Sequence, residues 1–252
     1  MTTPTNRVSA AVLIIGNEIL SGRTQDTNLG YLAKKLNEYG IQILEARVVP
    51  DIEADIVAAV NALRARFDYV FTTGGIGPTH DDITAVCIAK AFGVPLVIND
   101  EIAQILQRRS APPEIMAARM RMARIPAGGG LVRNPNGPHG FFIENVYVMA
   151  GIPSVMQAML GSLDGQLRRG DSIESRSVTA FLAESHIAKR LGDIQLRYPH
   201  LDLGSYPFSR NDRYGTTLVM RGSVVADLDT MLDEVKQMIV ELGGTPSDET
   251  RG

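Results

Sequence analysis

Between residues 9 and 93 three apolar runs alternate with segments of helical period, and this alternation leaves the chain few architectures to adopt. "SAAVLIIG" (9–16), "IQILEARVV" (41–49) and "DYVFTT" (68–73) have the length and apolar character of strands. Between them Leu29, Leu32, Leu36 and Tyr39 share one helical face that stops at Gly40, while Ile52, Ile56, Val57, Val60 and Leu63 mark a second helix. A third helical segment, 83–92, runs up to Gly93. Strands joined by helices of this length require right-handed crossovers, and so a mainly parallel sheet with helices on both faces. In such α/β sheets the ligand crevice opens at the carboxyl ends of the strands. "GNEIL" (16–20) and "TGGIGPTHDD" (73–82) both fall at such ends.

The remainder reads less regularly. Residues 102–124 form two helical pieces divided by "APPE" (111–114), because proline stops a helix and restricts the residue before it. Met116, Met120 and Met122 in this stretch are read as packing residues. "FFIENVYVMAG" predicts a hairpin around Glu144-Asn145, and a helix follows from Pro153. The polar stretch "GSLDGQLRRGD" (161–171) is the expected boundary, giving one domain over 1–165 and a small α+β domain over 172–244. The second domain is expected to run strand (175–182), helix (184–198), two strands (201–206 and 215–222) and helix (226–242). Tyr206, Phe208, Arg210, Arg213 and Tyr214 are placed in an exposed turn, with stacking on a flat ligand ring as the alternative. The tail beyond Leu242 is expected to be loose.

Charge and cysteine usage narrow the function classes. A net charge of −3 argues against a surface built mainly for nucleic acid or anionic lipid. The single cysteine, Cys87, and four scattered histidines cannot make a cysteine-rich zinc site, and Cys87 is expected to be a buried small hydrophobe. "MTTPTNR" lacks the apolar core of a signal peptide, and no segment approaches the roughly 20 apolar residues that span a bilayer. The expectation is a cytoplasmic protein without nucleic-acid or membrane partners.

The stretch "TTGGIGPTHDD" (72–82) carries the most chemistry. Gly74, Gly75 and Gly77 let the backbone turn sharply and offer N–H groups unobstructed by Cβ atoms, and a helix start lies just beyond; both features suit phosphate. The pattern is neither a P-loop nor a dinucleotide G-x-G-x-x-G. Asp81 and Asp82 admit two readings. Thr79-x-x-Asp82 has the spacing of a capping box, and acids at a helix start gain from its dipole. Alternatively a carboxylate beside phosphate holds Mg²⁺, which characteristically joins one or two carboxylates to phosphate oxygens. Asn17 and Glu18, ending the first strand, are candidate ligand or metal contacts; Asn28 is another, with Asp26 or Thr27 as the N-cap beside it. His80 is either a general acid or a solvated loop histidine.

Together with "GNEILSGRTQDTN" and "RNPNGPHGFFIENVYVMAGIPSVMQAML", this stretch resembles the MoaB/Mog family of molybdopterin-binding domains in its CinA-type branch. That branch includes the N-terminal part of competence/damage-inducible protein A and the corresponding domain of FAD synthase, and "LGSYPFSRNDRYGTTLVMRG" is similar to the segment joined to the fold in FAD-synthase-like members. The resemblance covers nearly the whole chain. It implies a three-layer α/β Mog-type fold, usually homo-oligomeric. It places functional weight on Asp82, which matches the aspartate closing the glycine motif, and on Asp51 in "VVPD". Ligand contacts carried over are Gly16, Asn17, Glu18, Asn28, Thr73, Gly74, Gly75, Gly77, Pro78, Thr79, Asp81, Asn134, Gly137, Gly151, Pro153 and Ser154, with Asp82 and Glu18 as metal ligands. Ala150 and Val155 depart from the family pattern, which has proline and an acid there. CinA-type members are associated with metal-assisted hydrolysis of the pyrophosphate in ADP-ribose or FAD, using Mg²⁺, Mn²⁺ or Co²⁺. The expectation is therefore a pyrophosphatase releasing AMP, with a non-catalytic molybdopterin- or nucleotide-binding protein as the alternative.

Overall fold

The computed structural model describes residues 6–210 and 212–247. In chain order the elements are β1 (Val8–Ile15), α1 (Asn17–Leu20), α2 (Asn28–Glu38), β2 (Ile41–Val49), α3 (Glu53–Arg64), β3 (Tyr69–Thr73), α4 (Thr84–Phe92), β4 (Leu96–Ile98), α5 (Asp100–Gln107), α6 (Pro113–Met120), β5 (Arg124–Pro126), β6 (Gly130–Val132), β7 (Gly140–Ile143), β8 (Val146–Met149), α7 (Pro153–Gly161), β9 (Glu174–Ala180), α8 (Glu184–Arg197), β10 (Asp202–Arg210), β11 (Arg213–Gly222) and α9 (Val225–Glu241). They form two compact units, Asn6–Gly170 and a second that begins at Asp171.

The first unit is built on a six-stranded sheet in the order β2-β1-β3-β8-β7-β6. β2, β1, β3 and β8 run parallel, and β7 alone is antiparallel to both its neighbours. Strand alternation sorts side chains onto two faces. Ala11, Leu13, Ile15, Val70, Val146 and Val148 pack on one side against Ile56, Val60 and Leu63 of α3, Cys87 and Ile88 of α4, and Ile102 of α5. Val8, Ala10, Val12, Ile14, Phe71, Tyr147 and Met149 pack on the other against Leu32 and Leu36 of α2 and Met156, Met159 and Leu160 of α7. The result is the three-layer fold expected. The chain leaves β1 through α2 on one face and leaves β2 through α3 on the other, so the crevice between β1 and β3 is a topological switch point.

Helix ends follow local chemistry. Gly93 closes α4 in the left-handed conformation, φ 66°. Thr27 occupies the N-cap position of α2 without a side-chain bond, and Asp26 supplies the capping bond by accepting the Leu29 N–H at 2.9 Å. The hairpin turns at Glu144, φ 49°, and Asn145 braces it by donating to the carbonyls of Arg64 and Phe67. Three short strands went unread in the sequence. β4 and β5 pair with each other, and β6 pairs with β7, over runs of three residues too short to show alternation.

The second unit is a three-stranded antiparallel sheet, β10-β11-β9, with α8 and α9 packed on one face through Val178, Leu218, Met220, Ile187, Ile194, Leu228 and Val235. Here β10 runs on to Arg210 and β11 starts at Arg213. Tyr206, Phe208, Arg210, Arg213 and Tyr214 are thus strand residues rather than turn residues, since cross-strand pairing outlasts the hydrophobic pattern. The Arg213 guanidinium lies 4.3 Å from the Phe181 ring centre and that of Arg210 4.9 Å from Phe208. The tail is tied further than expected, because Ser247 and Thr179 exchange backbone hydrogen bonds of 2.8 Å; residues 248–252 lie outside those described, as do 1–5. Among the described residues no helix is long and apolar enough to cross a membrane.

Candidate functional site

The loops that follow β1, β3, β8 and β6 meet above the carboxyl edge of the large sheet and enclose a cavity of about 660 Å³. That volume lies within the roughly 300–1,000 Å³ usual for small-molecule sites. Its floor is the glycine loop. Gly74 has φ 105°, and a Cβ there would stand 2.1 Å from the Ile15 carbonyl oxygen; Gly75 has φ 66° and faces the Thr84 hydroxyl. Both positions exclude any other residue. Thr84, the first residue of α4, fastens the loop: its hydroxyl donates to the Gly74 carbonyl at 3.0 Å and its N–H to the Gly75 carbonyl at 3.0 Å. Ile76 packs against both cores, which sets the orientation of the backbone around it. The N–H groups of Gly75, Ile76 and Gly77 have no acceptor among the described residues. Three consecutive donors without an acceptor, on the lining of a cavity, are a feature suited to an anion.

Asp82 closes this loop instead of capping α4. The helix begins two residues later at Thr84, with Ile83 at the N-cap position and no side-chain bond there. The Asp82 carboxylate accepts the Thr79 N–H at 2.8 Å and the Thr79 hydroxyl through the same Oδ2, leaving Oδ1 for other partners. It also dictates Gly77, because a Cβ there would fall 2.6 Å from Oδ2. Glu18, in the short helix α1 after β1, lines the same cavity.

Asn28 sits beside it. Its Nδ2 donates to the Gly151 carbonyl at 2.8 Å, and its buried Oδ1 has no partner among the described residues. Asn28 also lines a cavity of about 60 Å³ together with Glu18, Thr24, Asp26 and Thr73. Among the described residues no group of three His, Cys, Asp or Glu side chains forms a cage for an ion. Glu18 and Asp82 on one lining, and the Asn28 amide oxygen in the small cavity beside it, are oxygen donors of the kind a hard cation such as Mg²⁺ takes while keeping water and borrowing phosphate oxygens.

Of the residues singled out in the sequence, the cavity gathers Glu18, Gly74, Gly75, Gly77, Pro78, Asp82, Asn134, Gly137, Gly151 and Pro153. Asn28 and Thr73 line the smaller neighbour. The others lie off the lining. The Asp51 carboxylate accepts the Asn17 N–H at 2.9 Å and so holds the start of α1, and Gly16 donates to Val49. Asp81 is exposed and lies off the cavity lining. His80 is 95% exposed, outside the cavity. Thr79 spends its hydroxyl on Asp82, and Ser154 is exposed in the first turn of α7. Asn134 lines the cavity with its carboxamide engaged inside its own loop, accepting the Asn136 N–H at 3.1 Å and donating to the Pro138 carbonyl at 3.3 Å. Burial pushes the Cys87 thiol up to about 11, consistent with a packing role.

Thr24, Arg121, Arg124, Asn136 and His139 also line the cavity, and sequence reasoning had not placed them there. The arginines arrive through the β4–β5 pairing, which no local pattern announces. His139 is held by the Asn134 N–H, which donates to Nδ1 at 2.9 Å, and by Glu101, 3.2 Å from Nε2.

Similarity to known proteins agrees with this architecture. The domain described as "Probable molybdopterin binding domain" matches residues 11–168, and "FAD synthase, middle domain" matches 172–243. A protein of Archaeoglobus fulgidus is 35% identical over 198 residues, covering 78% of this chain and 84% of its own length. A probable FAD synthase of Caenorhabditis briggsae is 29% identical over 264 residues and covers 94% of this chain, which spans only 50% of that enzyme. The crystal structure of CinA from Thermoplasma acidophilum superposes with a TM-score of 0.59 at 30% identity, over 64% of this chain and 99% of that one. The chain therefore belongs to the family of probable molybdopterin binding domains, in its CinA-type branch, with a FAD synthase middle domain behind it.

Proposed function

We propose that the protein hydrolyses the pyrophosphate bond of an ADP-containing dinucleotide, ADP-ribose or FAD, and releases AMP. The observation that carries this reading is the meeting of three unspent loop N–H groups with the carboxylates of Glu18 and Asp82 on one cavity. The amides of Gly75, Ile76 and Gly77 bind and orient one phosphate and stabilise the charge that grows on its oxygens. Asp82 through Oδ1, with Glu18, would hold Mg²⁺, Mn²⁺ or Co²⁺, and a bound ion polarises a phosphoryl oxygen and lowers the pKa of water. Thr79 fixes the Asp82 rotamer, while Arg121 and Arg124 on the cavity lining complement the anionic ligand. Activity resting on these groups is expected to fall by about 100-fold or more in kcat in Asp82→Asn, with little change in melting temperature, because the residue is half-exposed in a loop. The measurement is AMP release from ADP-ribose and FAD across the three metals; an unchanged rate removes Asp82 from the reaction.

A second reading has its own observation. Half of the Asp82 carboxylate is occupied by Thr79 and, among the described residues, no three acidic, histidine or cysteine side chains gather as a metal cage, an arrangement suited to holding a molybdopterin or nucleotide without turning it over. Tight binding of ligand with no AMP under any metal would establish that reading.

A further inference from the structure

A larger cavity, about 1030 Å³, adjoins the one with Glu18 and Asp82 across the ridge Asn134–His139, whose residues except Pro135 line both. Its wall is cationic. Residues 102–140 contain six arginines and a single acid, Glu114, in a chain whose net charge is −3. Four of them, Arg108, Arg109, Arg119 and Arg133, line this larger cavity. Arg133 is paired with Glu101, which also contacts His139 and so anchors the ridge. The other three form no ion pair with any described carboxylate. Arg119 donates to the Arg109 carbonyl at 3.1 Å, tying the start of the α5–α6 connection to α6 and holding the three cations on one concave surface. Like charges gathered without counter-charges repel, and a concave wall of low polarizability focuses their field on whatever enters. The guanidinium fork matches the tetrahedral oxygens of a phosphomonoester in paired hydrogen bonds.

We infer that this wall is an anion subsite for a phosphomonoester carried by the ligand at a distance from its diphosphate. On the function proposed above, on which this inference rests, the preferred substrate class is an ADP-containing nucleotide with an additional phosphate on its ribose. The diphosphate lies on the glycine loop, the ridge separates the two halves, and the added phosphate meets Arg108, Arg109 and Arg119.

The test is calorimetric titration of the purified full chain in EDTA, so that neither probe is turned over, using ADP-ribose and ADP-ribose 2′-phosphate as probes. The wild type is expected to bind the 2′-phosphorylated compound about tenfold more tightly, as one strong charge-assisted contact would give. In the Arg108→Ala/Arg109→Ala double variant the ratio of the two dissociation constants should fall toward one. Both side chains are exposed, and Arg119 contacts only the backbone carbonyl of residue 109, so the fold is retained and a melting curve verifies it. Equal affinities in the wild type, or a preference that survives in the double variant, overturn the subsite while leaving the nucleotide reading intact. Binding of neither compound overturns both.

Discussion

Gly77 separates the two jobs of the glycine loop. Gly74 and Gly75 sit at positive φ and are required by the backbone itself, whereas Gly77 does not; its constraint is the Asp82 carboxylate 2.6 Å from where a Cβ would stand. Gly77→Ala should therefore push Asp82 away from Thr79 without straining the main chain. Expected are a stability loss under about 1 kcal/mol and a loss of ligand affinity of about tenfold or more, read by thermal melting and by titration with ADP-ribose. Gly75→Ala, in contrast, combines left-handed strain of about 1–3 kcal/mol with a clash on Thr84, and lowers the melting temperature as well. A Gly77→Ala variant that binds normally would show that the Asp82 position is immaterial to the site.

At the scale of elements, the parallel strands are joined by polar side chains as well as by ladders. Asp68, just before β3, accepts the Ser9 N–H at 2.8 Å and the Ser9 hydroxyl at 2.7 Å from β1, and pairs with Arg168 at 2.5 Å. The Ser9 backbone bond, first among the causes, holds the Asp68 carboxyl below the usual carboxylate range. Its folded pKa being depressed, the stability it contributes is present above the unfolded value near 3.9 and is lost as pH falls through the folded one. Since the side chain is 37% exposed, solvent screening keeps this contribution small. Asp68→Asn should cost about 1 kcal/mol at pH 7, and the gap between wild type and variant should close as pH drops below about 4 in urea unfolding. A gap independent of pH would mean that shape, not charge, matters there.

Elements of this kind were legible in the sequence to different degrees. β1, β2 and β3 are buried by helices on both faces, so they wrote themselves as apolar runs, and α4 announced its end at Gly93. The glycine loop was legible as a sharp turn because Gly74 and Gly75 have no side-chain substitute. β4, β5 and β6 were not, because three residues carry no period, and Arg121 and Arg124 reach the cavity only through that unread pairing. The resemblance put functional weight on Asp51, and its partner, the Asn17 N–H, is visible only once β1 and β2 lie side by side.

As a whole molecule, the chain has separate cores. The two clusters around the large sheet draw on residues from Val8 to Leu167, and the third on Val178 to Ile239. The cavity with Glu18 and Asp82 is lined wholly by residues of the first unit. A fragment of residues 6–170 exceeds the size at which single domains fold alone, so it should unfold cooperatively and bind ADP-ribose within about threefold of the full chain. Titration and denaturant unfolding of the fragment check both expectations; loss of binding in a folded fragment would assign the second unit a share of the site.

The clasp of Thr84 on Gly74 and Gly75 has one more consequence. Because Thr84, at the start of the helix, fastens the floor with both its hydroxyl and its main-chain N–H, shape there is set by the helix start and not by the groups that line the rest of the cavity. Descendants of such a scaffold would change what the cavity accepts by rewriting the other lining residues, at Thr24, Arg121, Arg124 or the Asn134–His139 segment, while the glycine loop passes on untouched.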